Sequence, residues 1–225
     1  MQRSKAGHVI SNLFLILLIA GLYLGTTQPQ AISASAPVYR GQASDAVALQ
    51  FAVSWNAAAL PEILDTLKAQ DTQVTFALSG EWAAANPQLA RRMAQEGHEL
   101  ATMGQSPDAD GKLSFIIEDL ETSLETIQAA AGVRPVLYYS GSRSAIVSGR
   151  AAKKLGLTQV LCTVDLLCAR GEAADIITRV EESAVIPGGI LLLQPTEAAA
   201  EALTGVLTAL REKGLEPVPI GQVLP

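Results

Sequence analysis

Histidine is almost missing from this chain. There are 2 among 225 residues, His8 near the N-terminus and His98 in the body of the sequence. A site built on several imidazoles is therefore nearly excluded, and serine or cysteine nucleophiles have almost no partner base to draw on. Cysteine is equally scarce, with only Cys162 and Cys168. Two cysteines do not make a zinc site. In an exported protein they pair as a disulfide, or they stay buried free thiols, since Cys162 sits inside the apolar run QVLCTVD. Charged residues are sparse, at 17%, and the formal balance is −6. No long basic run appears, which argues against nucleic acid, because phosphate binding depends on clustered Lys and Arg. No glycine-rich loop follows the first strand candidate, so a dinucleotide-binding fold gets no support. The stretch SGSRS, Ser140 to Ser144, does not match the G-x-S-x-G elbow of a serine hydrolase.

What is present is apolar. Hydrophobic residues make up 49% of the chain, enough for a sizeable core. Arg3 and Lys5 precede LFLILLIAGLYL, residues 13–24, which has the build of a signal-peptide core. Small residues for cleavage stand at Ala34 to Ala36, while extending the run back to Val9 gives an uncleaved anchor. Both readings stay open. In each, the basic flank stays in the cytoplasm and the domain is exported, either secreted or held at the outer face of the membrane. Residues 1–25 are thus a signal peptide or anchor. Residues 26–46 are a linker rich in small and polar residues, and 47–225 form one domain.

Within that domain strand-like and helix-like stretches alternate. Strands are predicted over 47–53, 73–79, 99–103, 135–140, 158–164, 189–194 and 216–220, several of them short apolar runs suited to burial on both faces. Helices are predicted between them. Asn86 is expected to cap one with Pro87 behind it, Thr196 to cap another, and Gly97, the glycine closing QAAAG and Gly214 to stop them. Repeated βαβ units give an all-parallel sheet, and a distorted parallel (β/α) barrel of about seven strands is the expected fold. In such a barrel, function sits at the C-terminal strand ends.

The stretch LPEILDTLKAQDTQVTFALSGEWAAANPQLARRMAQEGHEL, residues 60–100, now carries a resemblance. A helix, a strand TFAL, a G-x-W turn and a helix ending in GHE follow the order and spacing of the polysaccharide deacetylases with the NodB-homology fold. The pattern F-x-V-x-W, Phe51 to Trp55, further resembles the sporulation-associated branch. The resemblance covers about residues 45–225 and implies a metal-dependent hydrolase of N-acetyl groups on chitin-like glycans or peptidoglycan. One divalent ion, usually zinc, polarises the amide and makes water nucleophilic. An Asp serves as base, a second Asp and two His hold the metal, and a further His is the acid.

Carried over residue by residue, those roles fall on groups that cannot perform them. The base falls on Ala52 and the metal carboxylate on Val53. The two metal imidazoles fall on Met103 and Pro107. The motif arginine falls on Tyr139, and the acid on Gln194. Only Asp165 matches, in a supporting role. Ala, Val, Met and Pro offer no hard ligand to a divalent ion, and Gln does not titrate. No catalytic residue, metal ligand or cofactor is expected. The stretch SPDADGK, Ser106 to Lys112, reads as a polar turn, because a calcium loop in that register would close on Ile117. His98 reads as structural.

The mouth remains a candidate groove. Trp55 and Tyr139 offer ring faces, with Asn56, Arg143, Asp165 and Gln194 as hydrogen-bonding groups. Only one of Tyr138 and Tyr139 faces the interior, because strand side chains alternate. Arg143 either reaches the pocket and pairs with Asp165 or lies exposed in its loop. Three functions stay open: an inactive relative binding cell-wall glycan, a scaffold for an envelope protein or spore complex, and an active deacetylase with a non-standard site.

Overall fold

The computed structural model describes residues 36–55, 58–183 and 185–224. The expected N-terminal signal or anchor lies outside them. Among the described residues no helix is long and apolar enough to cross a membrane.

The strands are β1 (Ala46–Val53), β2 (Thr75–Leu78), β3 (Glu99–Thr102), β4 (Leu137–Tyr139), β5 (Thr158–Val160), β6 (Val164–Asp165), β7 (Ile190–Leu193) and β8 (Glu216–Val218). The helices are α1 (Leu60–Ala69), α2 (Gly80–Ala85), α3 (Pro87–Gln95), α4 (Leu113–Ala131), α5 (Ala145–Lys154), α6 (Ala173–Glu182), α7 (Glu197–Glu212) and α8 (Ile220–Val223). Every strand pair is parallel, in the order β5-β4-β3-β2-β1-β7-β6, with β8 also on β1. This is the distorted barrel that the alternation of elements predicts.

One predicted strand, 158–164, is two. β5 pairs with β4 at one edge of the sheet, and β6 pairs with β7 at the other. Leu161 to Thr163 carry the chain across the gap, so the covalent chain closes the ring where strand pairing does not.

The gap is filled from outside the sheet. Val38 N–H donates to Gln159 O at 2.8 Å and Leu161 N–H to Val38 O at 2.9 Å. Further along, Gly41 N–H donates to Gly188 O and Gln42 N–H to Val223 O, both at 2.7 Å. The last part of the expected linker 26–46 is therefore a strap built into the barrel wall. A Cβ on Gly41 would lie 2.0 Å from Val223 O, a backbone atom that cannot swing away. Gly41→Ala is expected to cost about 1–3 kcal/mol by overpacking. A thermal melt indistinguishable from the parent would show that the strap is not packed this way.

Alternation along β1 sorts its side chains into two layers. Val47, Leu49, Phe51 and Val53 face the helices and join Leu60, Ile63, Leu64 and Leu67 of α1 in the main core. Ala48 and Ala52 face the barrel interior with Ala77, Ala101, Met103, Leu137, Tyr139 and Leu192. Phe51 stacks on Phe76 at 5.4 Å, and His98 meets Phe76 edge-on at 5.1 Å. The floor is sealed by α8, where Ile220 N–H donates to Thr75 Oγ1 at 2.8 Å.

Caps follow the sequence with one exception. Thr196 accepts from Ala199 N–H at 3.1 Å. Gly97, Gly132 and Gly214 take the left-handed conformation that ends their helices. Asn86 stands at the N-cap of α3 with Pro87 behind it, but its side chain makes no cap bond. Its side-chain amide donates back to Trp82 O at 3.0 Å, the carbonyl that also accepts the Asn86 backbone N–H at 2.9 Å at the end of α2.

Candidate functional site at the barrel mouth

Register places the mouth residues. Ala52 is level with Ala77, and Ala77 with Ala101, so three methyl groups stand side by side across β1, β2 and β3. Ala52 and Met103 are each 8% exposed, just within reach of solvent. Val53 points the other way and is fully buried in the helix-facing core. The position to which the resemblance assigns a metal carboxylate therefore faces the helix layer, not the mouth. Among the described residues no three His, Cys, Asp or Glu side chains converge in a way that would hold a metal ion. The side chains here do not fit the divalent ion that the family pattern implies.

The candidate groove residues separate. Tyr139 faces the interior, and Tyr138 packs among α4 and α5 with its hydroxyl 3.2 Å from Ser148 Oγ. Burial pushes the Tyr139 phenol well above its ordinary acidity range, helped by nearby Cys162 and Asp165, so it stays protonated. Asp165 lies beside Leu192 in the β6–β7 register, and its Oδ1 accepts from Leu167 N–H at 2.8 Å. Gln194 follows β7 and is half-buried, with its Oε1 buried and unpartnered. Trp55 is 63% exposed at the rim, which rules out packing beneath a loop. Asn56 lies outside the described residues. Cys162 and Cys168 are free thiols.

Arg143 is neither exposed nor paired with Asp165. Its Nη1 donates to Asp119 Oδ2 at 2.8 Å, its Nε to Ala109 O at 2.8 Å and its Nη2 to Ser106 O at 2.6 Å. Asp119 Oδ1 in turn accepts from Ser106 N–H at 2.9 Å. The two side chains are 1% and 5% exposed. Burial works against the guanidinium charge, and the bonds to Asp119 and Tyr138 outweigh it. Arg143 is thus a clamp on the loop after β3, the loop carrying Met103 and Pro107. Gly104 fits beside the clamp with φ +94, where a Cβ would lie 2.2 Å from Asp119 Oδ2. The segment Ser106 to Lys112 is the polar turn expected, with Asp110 Oδ1 accepting from Gly111 N–H.

Two residues escaped the sequence reading. Asp119 lies on the apolar face of α4 between Ile116 and Leu120, where an acid requires a buried cation. Gln50 is the one polar side chain in β1. It is fully buried at an interior position, and neither side-chain amide atom has a partner.

A parallel barrel closed by its own chain, with a site loop after β3 and a mouth lined by β1, β4, β6 and β7, defines a polysaccharide-deacetylase-type domain. The chain belongs to the polysaccharide deacetylase family, whose model matches residues 40–160. It is 30% identical over 199 residues to the uncharacterized protein YlxY of Bacillus subtilis, covering 86% of this chain and 60% of that one. It is 24% identical over 189 residues to the peptidoglycan-N-acetylglucosamine deacetylase PgdA of Listeria monocytogenes, covering 83% of this chain and 40% of that one. The chain thus spans less than two thirds of the length of these relatives. Among solved structures, wild-type BA3943 of Bacillus anthracis, a CE4 family pseudoenzyme, superposes with TM-score 0.79 at 27% identity over 85% of this chain and 69% of that one. A mutant of BA3943 with restored enzymatic activity superposes with TM-score 0.80 at 28% identity, over 85% of this chain and 72% of that one.

Proposed function

We propose that this chain is an exported, catalytically inactive member of its family that holds a cell-wall glycan of the peptidoglycan type at the barrel mouth. The observation that carries this reading is the mouth itself. Ala52, Met103 and Gln194 stand there in place of a base, a metal ligand and an acid, and Val53 is turned into the core. None of these groups activates water or polarises an acetamide. The likeness to BA3943 supports inactivity. The likeness to a peptidoglycan deacetylase supports the ligand class, and the exposed ring of Trp55 supports stacking on a sugar. The basic and apolar segment of residues 3–24 supports export, with the domain secreted or held at the outer face of the membrane.

The test is acetate release from N-acetylated chito-oligosaccharide and from peptidoglycan, with zinc added. The expected result is no release above the protein-free blank, with the protein sedimenting with insoluble peptidoglycan. Zinc-dependent release that scales with protein would overturn the reading. A second reading, an envelope or spore scaffold, is favoured by Leu113, Phe115 and Ile146, exposed at the starts of α4 and α5. Failure to sediment with peptidoglycan would favour it.

A further inference from the structure

The polar groups of the mouth are unbalanced. Leu192 faces the interior with Gln50 beside it on β1 and Asp165 beside it on β6. Gln194 comes two residues after Leu192, on the same face of the strand line. The Oε1 of Gln194 is buried without a hydrogen-bond partner, and deeper, level with Thr75 of the floor, Gln50 leaves one acceptor and one donor unmet. Asp165 is half-buried and spends Oδ1 on Leu167 N–H. No ion pair among the described residues involves it. Arg143, in the loop after β4, is held by Asp119, and Arg170, in the loop after β6, is exposed. Tyr139, Cys162 and Cys168 are all kept in their neutral forms by burial. At the mouth, then, Asp165 is a carboxylate with no ion-pair partner and Gln194 Oε1 is an unmet acceptor.

A donor-only cation complements this set. A primary ammonium carries three N–H donors and no acceptor. An acetamide instead turns a carbonyl acceptor toward a carboxylate and leaves Gln194 Oε1 with a single N–H to share. We propose that the mouth binds the protonated amine of a de-N-acetylated amino-sugar glycan, with Asp165 as counter-ion, Gln194 Oε1 as second acceptor and Trp55 as the stacking face. The proposal rests on the inactive-domain reading. The domain recognises the amine that N-deacetylation leaves behind, and so acts after a deacetylase has worked on the glycan.

The experiment is calorimetric titration of the full chain with three probes: glucosamine tetramer, N-acetylglucosamine tetramer and lysine methyl ester, an amine without a sugar. The expected result is that the glucosamine tetramer binds at least tenfold more tightly than either other probe. Asp165→Asn keeps the acceptor for Leu167 N–H and is expected to abolish that preference. Should that variant fail to fold, Gln194→Met is expected to weaken the glucosamine tetramer severalfold and to narrow its preference over the acetylated one. Equal or tighter binding of the acetylated tetramer, equal binding of lysine methyl ester, or no binding of either sugar would each overturn the proposal. So would a folded Asp165→Asn chain that keeps the preference. These outcomes leave inactivity standing, because acetate release tests that separately.

Discussion

Arg143→Ala is expected to lower the unfolding free energy by about 3–5 kcal/mol, the cost of stranding a buried carboxylate without its partner. The mechanism is local. Asp119 keeps its place on α4 under Leu120 and Ile116, but loses the one cation within reach. Ala109 O loses its side-chain donor at the same time, and Ser106 O keeps only Ala109 N–H. The double variant Arg143→Met with Asp119→Leu is expected to recover most of the loss, since both charges leave together. Urea denaturation of the parent, single and double variants measures all three. A single-variant loss below about 1 kcal/mol would mean that the pair is solvated and behaves as a surface bridge. The clamp also has a bearing on function. It fixes the loop after β3 to the loop after β4 through one guanidinium bonded to the Ser106 and Ala109 carbonyls, in the sector where the family pattern places two metal imidazoles.

Acid is expected to destabilise the domain through His98. Its Nδ1 accepts from Val74 N–H at 3.3 Å, so the proton of the neutral ring sits on Nε2, which is buried and unpartnered. Burial lowers its pKa from 6.5 to about 4, partly offset by Glu96. The unfolded chain therefore takes up this proton more readily than the folded one. The contribution is fully present above about pH 6.5 and is lost as pH falls toward 4, reaching at most about 3 kcal/mol. His98→Asn keeps an acceptor for Val74 N–H and removes the titration. Its stability is expected to stay flatter than the parent's between pH 6.5 and 4. Parallel slopes for the two proteins across that window would place the acid sensitivity elsewhere.

Much of the fold was legible because the strands are short apolar runs separated by capped helices. The split of 158–164 was not. The sequence shows one continuous strand-like stretch there, with no turn residue in it, and only the pairing of its two ends with β4 and β7 reveals a crossing. The strap was hidden for a related reason. Residues 38–42 look like a linker, and their bonds to Gln159, Gly188 and Val223 span more than a hundred positions of chain. At the mouth, period-two alternation placed one tyrosine inside, and the structure shows that it is Tyr139. The same alternation turns Val53 away from the interior, a consequence that the motif carry-over alone did not expose. The partner of Arg143 lay 24 positions upstream on a helix, out of reach of any local pattern.

A mouth of this make-up is expected to hold no catalytic metal. Zinc per chain, measured on purified protein after loading and dialysis, tests it most directly. A ratio near zero is expected, with the domain folded by circular dichroism. A ratio near one, lost on substituting a mouth residue, would contradict it and restore the deacetylase reading.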